Sequence, residues 1–423
     1  MTNSDEKAMV SRVTGIGGRK ASFLENATLR MQIEDIGGMI PVFCNVQDRR
    51  QINAHWVPWF RPNSEKPYKD AEDGHFWKSD ILYNIAGNFP CAPNFGPGHI
   101  MNGLTMPAHG WTANLKWTYK KSGLDEGCGA AWVLTEMESP DAAMPLSFKK
   151  IDALVPGQSV HYSALSIRNS GGGDTEICCA FHNTLGPPFL EPGCFISAAA
   201  DTWMTPPPGG EFDETTRLAL GAEFPALSKA PLSFGGKTDI SVVPSPIGYT
   251  DFATGVIPRT ARLGWSAVVN PDLKLAYISF FPGPASIADA AGEDEVILYF
   301  NDLWMQYGGR PFTPWAPWDG GPDLTYCLGA ENSVGAWAYG LDYARSLRRI
   351  LGSPTTVTIP AGGEKTLYYG CLFAPYEKKI LDSGIVGIDM EESELVCKSA
   401  TEFWKFDADP GFGIIRRIRE GLR

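Results

Sequence analysis

Short apolar or alternating runs recur along this chain at roughly ten-residue spacing, and each is closed by a turn rich in glycine or proline. That punctuation leaves no room for long helices. With 46 Gly and 33 Pro in 423 residues, the backbone must reverse often. Leu29, Met31 and Ile33 alternate with Arg30 and Gln32, the period of a strand with one buried face, and Gly37-Gly38 turns the chain before the next apolar run. Further strand patterns fall at 111–119, 130–137, 146–154, 159–169, 175–183, 241–243, 262–269, 275–281, 296–300, 325–331, 355–359 and 365–373. Turns such as Val155-Pro156-Gly157-Gln158 separate them. The pattern predicts a mainly β chain, a large antiparallel β-sandwich with a few short helices. Two stretches read as helical, 336–351 and the tail 392–423. The expected organisation is an N-terminal extension over 1–20, one sandwich domain over 21–391, and a C-terminal helical tail over 392–423. A polar and aromatic insertion at about 46–80 carries His55, Trp56, Trp59, Phe60, Phe76 and Trp77. Long loops in compact domains tend to be functional.

The net charge of −12 makes nucleic acid and anionic membrane poor partners, because both would repel the protein. The basic run Arg416, Arg417, Arg419 and Arg423 reads as a solvated helix face. Nine cysteines are scattered without a CxxC pair, several of them inside apolar strand-like runs. They read as small buried hydrophobes in a reducing compartment, neither a disulfide framework nor a zinc site. No run approaches the length of a membrane span and the first residues hold no signal-like apolar core, so the expectation is a soluble, cytoplasmic protein. A sandwich face with exposed aromatics could support a homodimer.

None of the six histidines stands in an HxH or HExxH spacing, which gives no support to a metal site. The chain has no GxSxG elbow and no Walker loop. The glycine-rich Gly15-Ile16-Gly17-Gly18-Arg19-Lys20 lacks the spacing of one. Two segments place polar residues where a strand should stay apolar. In Ile177-Cys178-Cys179-Ala180-Phe181-His182-Asn183, a strand runs into a His-Asn pair and then breaks on Gly186-Pro187-Pro188. A histidine at a strand end can reach a cleft and titrate near neutrality. In Tyr326-Cys327-Leu328-Gly329-Ala330-Glu331, an apolar strand delivers a carboxylate, which half-burial would turn into a base with a raised pKa. Taken singly, each also fits a hydrogen-bonded structural residue.

At these residues the sequence resembles the aldose 1-epimerase (galactose mutarotase) family. The segments that carry the resemblance are ASFLENATLRMQIEDIGGMIPVF, FPCAPNFG with PAHGWTANLKW, AFHNTLGPPFL, YCLGAENSVGAW and TIPAGGEKTLYY, in family order across about 22–373. The resemblance implies a large antiparallel sandwich whose concave face binds one sugar. It implies His182 as general acid and Glu331 as general base, with no cofactor. It also implies sugar contacts from His109 and Asp251, and the neighbouring Asn183, Trp111 and Trp337 are further candidates for the substrate site. The arginines that mark the phosphate-sugar branch are missing after His109-Gly110-Trp111 and near Gly87-Asn88-Phe89-Pro90, which disfavours a phosphorylated sugar. Asn332 stands where the family usually has proline.

Three functions remain open on this reading. The first is anomer interconversion of an unphosphorylated sugar by an acid–base pair held in opposite protonation states. The second is another sugar reaction on the same scaffold, such as isomerisation, elimination or glycoside cleavage. The third is carbohydrate binding without catalysis.

Overall fold

A computed structural model of the chain describes residues 7–47, 49–64, 66–289, 294–377 and 379–422. Two eight-stranded sheets dominate it. The first runs, edge to edge, through Phe195–Ala198, Leu263–Asn270, Leu275–Pro282, Glu364–Pro375, Val160–Asn169, Leu146–Leu154, Ala131–Glu138 and Thr118–Leu124. The second runs through Glu223–Phe224, Thr202–Met204, Tyr249–Val256, Phe300–Tyr307, Tyr326–Val334, Cys179–Phe181 and Pro90–Cys91, with Thr184–Leu185 also paired to Tyr326–Val334. Each pairing along both sheets is antiparallel. The sandwich expected from the turn spacing is therefore the fold of the chain.

Between the sheets lies a large apolar core that includes Phe181, Leu303, Leu328, Tyr369 and Phe373. A second core, around Tyr162, Phe280, Tyr368 and Phe412, lies on the other face of the first sheet. That sheet is thus covered on both sides, which explains why Leu275–Pro282 and Glu364–Pro375 read as nearly continuous apolar runs.

The cover of the second core differs from the helical tail expected for 392–423. Gly387–Met390, Glu394–Lys398 and Phe403–Asp407 form a three-stranded sheet, and only Gly413–Gly421 is helical. Val396, Cys397, Phe403, Trp404 and Phe406 favour strands, and Ser399 closes the turn by accepting from the Thr401 and Glu402 amides. The helix docks through Ile415 and Ile418. Its described arginines are ion-paired, Arg416 and Arg419 in part-buried positions and Arg417 on the exposed face. Arg416 pairs with Glu295 and lies 3.9 Å from the Tyr368 ring, Arg417 pairs with Asp125, and Arg419 with Glu364. Arg423 lies outside the described residues.

Two other expectations are adjusted. The stretch 1–20 holds a strand, Met9–Thr14, paired with Lys20–Glu25 in a four-stranded sheet. Within 336–351 only Leu341–Leu347 is helical, because Arg348 takes φ 68° and the chain turns back through Gly352 at φ 84°. The aromatic insertion at 46–80 folds inward: His55, Trp56 and Phe60 are buried, and the short helices Asp70–Trp77 and Asp80–Asn84 frame one end of the second sheet. Among the described residues, no helix is long and apolar enough to cross a membrane. All nine cysteines are unpaired, and seven are buried.

Phe412 is fully buried against Tyr162, Phe280 and Tyr368. Phe412→Ala is expected to cost about 3–5 kcal/mol, measured by denaturant unfolding of the full chain. A loss within about 0.5 kcal/mol, the range of ordinary surface substitutions, would mean that the tail is not an integral cover.

Candidate active site

In Tyr326–Val334, side chains alternate between the inter-sheet core and the outer, cavity-lining face of the second sheet. Asn332 points into the core, accepting from Ser279 and donating to Asn301. Glu331 therefore faces outward, beside Asp302 on the neighbouring strand. Gly329, two residues earlier, makes room for it: a Cβ there would stand 2.5 Å from Glu331 Oε1 and 3.1 Å from Trp304 Cβ. His182 arrives from the next strand over, just beyond Cys179–Phe181, with its amide held by the Phe89 carbonyl at 2.9 Å.

The two side chains meet. His182 Nε2 lies 3.2 Å from Glu331 Oε1. The other ring nitrogen, Nδ1, is 2.8 Å from Thr184 Oγ1. Phe89 stacks on the imidazole at 4.6 Å, His109 meets it edge-on at 5.0 Å, and Trp304 lies 5.8 Å away. The ring is thus fixed by one hydroxyl, one stacked ring and one carboxyl group. Both residues are almost wholly buried.

Burial decides how they ionise. It pushes the Glu331 carboxyl well above its ordinary value, helped by the charges of Asp302 and Glu211. It pushes the His182 imidazole well below its ordinary value, with His109 acting in the same direction. Both shifts run toward the uncharged forms, a protonated carboxyl beside a neutral imidazole. The family resemblance implied a proton-bearing histidine as acid and an ionised glutamate as base. Desolvation reverses that preference, since a buried neutral pair avoids the cost of two buried charges. Asp302, held by Thr254 and Ser333, is itself raised to about 6 by burial.

Glu331 and His182 form part of the lining of a cavity of about 340 Å³. Its walls include Ile81, Leu82, Phe212, Phe252, Trp304, Trp315, His109 and Arg310. The end of the aromatic insertion thus contributes directly, through Lys78 and Ser79, and Ile81 and Leu82 follow it. His109 sits at φ 58° with its Nδ1 buried and without a partner. The next residue must be glycine: Gly110 has φ 77°, and a Cβ there would stand 2.3 Å from the Ala92 carbonyl oxygen. A larger cleft of about 410 Å³ near Arg419 and Glu364 holds no comparable acid–base pair, and those two charges neutralise each other at 2.6 Å. Among the described residues, no group of three His, Cys, Asp or Glu side chains is placed to hold a metal ion.

The other residues suggested from sequence lie elsewhere. Asn183 follows His182 in extended chain and so points the opposite way, into the core, where it bonds Tyr369 and Tyr277. Asp251 is buried on Arg217 at 2.8 Å and Thr216 at 2.9 Å, off the cavity, while its neighbour Phe252 lines it. Trp111 is packed in the core. Trp337 packs against Tyr339 and Tyr343. Sequence reasoning passed over Trp304, Trp315, Phe212 and Arg310. Asp302 and Trp304, two apart on one strand, were the available signal, but Phe300–Tyr307 is buried throughout and shows no alternation.

No protein-family model matches the chain, and no curated protein does. Solved structures do. A protein from Klebsiella pneumoniae, described as a candidate aldose 1-epimerase, superposes with a TM-score of 0.59 at 12% identity, over 86% of this chain and 83% of its own. A galactose mutarotase-like protein from Clostridium acetobutylicum gives 0.55 at 11% identity, over 88% and 100%. A TPR-domain containing protein from Parabacteroides distasonis gives 0.52 at 10% identity, over 92% of this chain and 52% of its own. At such identities the likeness is one of fold.

His109, pushed down to about 4, and His182 are both expected to stay neutral from pH 8 to pH 5. The unfolded chain would protonate both near 6.5. The stability these rings contribute is therefore complete above that pH and is lost as the pH falls below it. Imidazole nitrogen shifts followed by NMR across that range test this. Either ring titrating near 6.5 would show that burial does not govern the pair.

Proposed function

We propose, from the premise that this chain has the galactose mutarotase-like sandwich fold, that it is a carbohydrate-active isomerase of the aldose 1-epimerase kind, interconverting the anomers of an unphosphorylated sugar. The observation that carries this reading is the His182–Glu331 contact of 3.2 Å in a cavity of about 340 Å³ with aromatic walls. That volume lies within the range of small-molecule sites, and aromatic rings suit the C–H faces of a pyranose.

Mutarotation needs one proton removed from the anomeric hydroxyl and one delivered to the ring oxygen. A pair that carries one proton between an acid and a base supplies both. The sugar enters between Glu331 Oε1 and His182 Nε2 and replaces their mutual contact with one hydrogen bond to each. Starting from the uncharged forms, Glu331 gives its proton to the ring oxygen while His182 takes the proton of the anomeric hydroxyl. The C1–ring oxygen bond breaks and an open-chain aldehyde forms. After rotation about C1–C2, the ring hydroxyl attacks the other carbonyl face and the two protons return, so each residue acts once as acid and once as base. The opposite starting allocation, His182 as acid and Glu331 as base, balances equally well and is the one the family resemblance implies. The transfers involve protons alone and call on no metal or redox group.

Thr184 and Phe89 fix the imidazole during both transfers, and the unpartnered His109 Nδ1 offers a hydrogen-bonding group for a sugar oxygen. Anomer exchange by NMR on free aldoses tests the proposal. The wild type should accelerate exchange. His182→Ala and Glu331→Gln should each lower the rate by about 10²–10⁴-fold. Full activity in both variants would reject the pair as the acid–base machinery.

A further inference from the structure

Arg310 is the unexplained charge in this cavity. It follows Phe300–Tyr307 across Gly308-Gly309 and is only 6% exposed. Its guanidinium carbon lies 4.6 Å from the Trp315 ring centre and 5.8 Å from that of Trp304. Its backbone amide is fixed by Asp323 at 3.0 Å, while the Asp323 carboxyl also takes Gln306. Asp323 thus sets the position of the residue and acts on its charge only from beyond ion-pair distance. Among the described residues, the only carboxylate within ion-pair reach of the guanidinium is Glu211. It approaches one nitrogen, Nη2, at 3.5 Å, and its side chain is 54% exposed. The buried Nε has no partner at all.

A buried guanidinium with an unfilled donor and one loose, solvent-facing partner is costly unless something else completes it. The structure assigns Arg310 as an anion subsite of the cavity, and we propose that its occupant is the carboxylate of a sugar acid, a hexuronate. The assignment deepens the proposed function and rests on it. Two arguments favour a carboxylate. The Nε–Nη edge of a guanidinium matches a planar carboxylate in a bidentate fork. The charges lining the cavity are Arg310 and Lys78 against Glu211, with burial favouring the uncharged form of Glu331, a balance that suits a monoanion. Lys78 Nζ is already engaged by the His75 carbonyl at 2.9 Å.

The placement also suits the chemistry. The His182 ring and the Arg310 guanidinium flank the same Trp304 indole, each 5.8 Å from its centre, so they stand no more than twice that distance apart. A hexopyranuronate carries its carboxylate on C5, one ring oxygen away from the anomeric carbon, so a single ring with that carbon at His182–Glu331 can present the carboxylate to Arg310 within this span. Glu211, being half-exposed, can swing into solvent as the ligand's carboxylate takes its place.

Calorimetric binding on the full chain tests this with three probes: a hexuronate, the matching neutral hexose, and the hexose 6-phosphate. The wild type should prefer the hexuronate to the hexose. In Arg310→Gln that preference should shrink by about 10–100-fold, the loss of one charge-assisted pair. Arg310→Lys, which keeps the charge but not the fork, should retain part of it and guards against a merely misfolded glutamine variant. Anomer exchange measured on the same samples separates the two claims. A hexuronate preference that depends on Arg310, without His182-dependent exchange, would uphold the subsite and reject the isomerase. Exchange without any hexuronate preference would do the reverse. Tighter binding of the hexose 6-phosphate than of the hexuronate would overturn the carboxylate assignment, and failure of all three sugars to bind would overturn both.

Discussion

The alternation of one central strand, Tyr326–Val334, sets the rest of the site. Its even positions, among them Ala330 and Asn332, belong to the core between the two sheets, and Asn332 anchors a buried polar cluster with Ser279, Asn301 and Tyr369. Its odd positions, Gly329 and Glu331, face the cavity. A slip of one residue would bury the carboxylate among the polar cluster and expose the asparagine. The bonds of Asn332 therefore specify the register that presents Glu331. This also gives a physical role to an asparagine that stands where the family resembled by the sequence usually has proline. A proline could not donate to Asn301, and it would remove a ladder hydrogen bond from the middle of a sheet.

The neighbouring strands extend the same logic. His182 and Asn183 are adjacent in sequence and point to opposite faces, one to the cavity and one to Tyr277 and Tyr369. The cavity face and the core face are thus stitched by alternating residues of the same segments. The first sheet carries no comparable site. It is covered on its far side by the three-stranded C-terminal sheet and the terminal helix, whereas the outer face of the second sheet lines the cavity.

The fold was legible because glycine and proline report turns directly and because period two survives in half-buried strands such as Leu29–Glu34. The tail was not. Its mixture of charged and apolar residues fits a helix as well as a hairpin, and only packing against Tyr162 and Phe280 distinguishes them. In the site, His182 and Glu331 stood out because each interrupts an apolar run. Asp251 and Asn183 interrupt apolar runs too, and sequence alone does not say which face an interrupting residue takes. Trp304 and Trp315 were hidden for the opposite reason: an aromatic residue looks the same whether it walls a cavity or fills a core.

Burial ties these features to the chemistry. If water reached the His182–Glu331 contact freely, an ion pair would be the favoured form, with a full charge on each partner. The stacked Phe89, the edge of His109 and the indole of Trp304 exclude water, and the pair keeps one shared proton with no net charge. When such a pair passes a proton out on one side and takes one in on the other, the carboxylate and imidazolium that form balance each other, so the site keeps the same net charge throughout. The same exclusion makes Arg310 conspicuous, because its guanidinium is buried against Trp304 and Trp315 with Glu211, half-exposed, as its one ion-pair partner among the described residues.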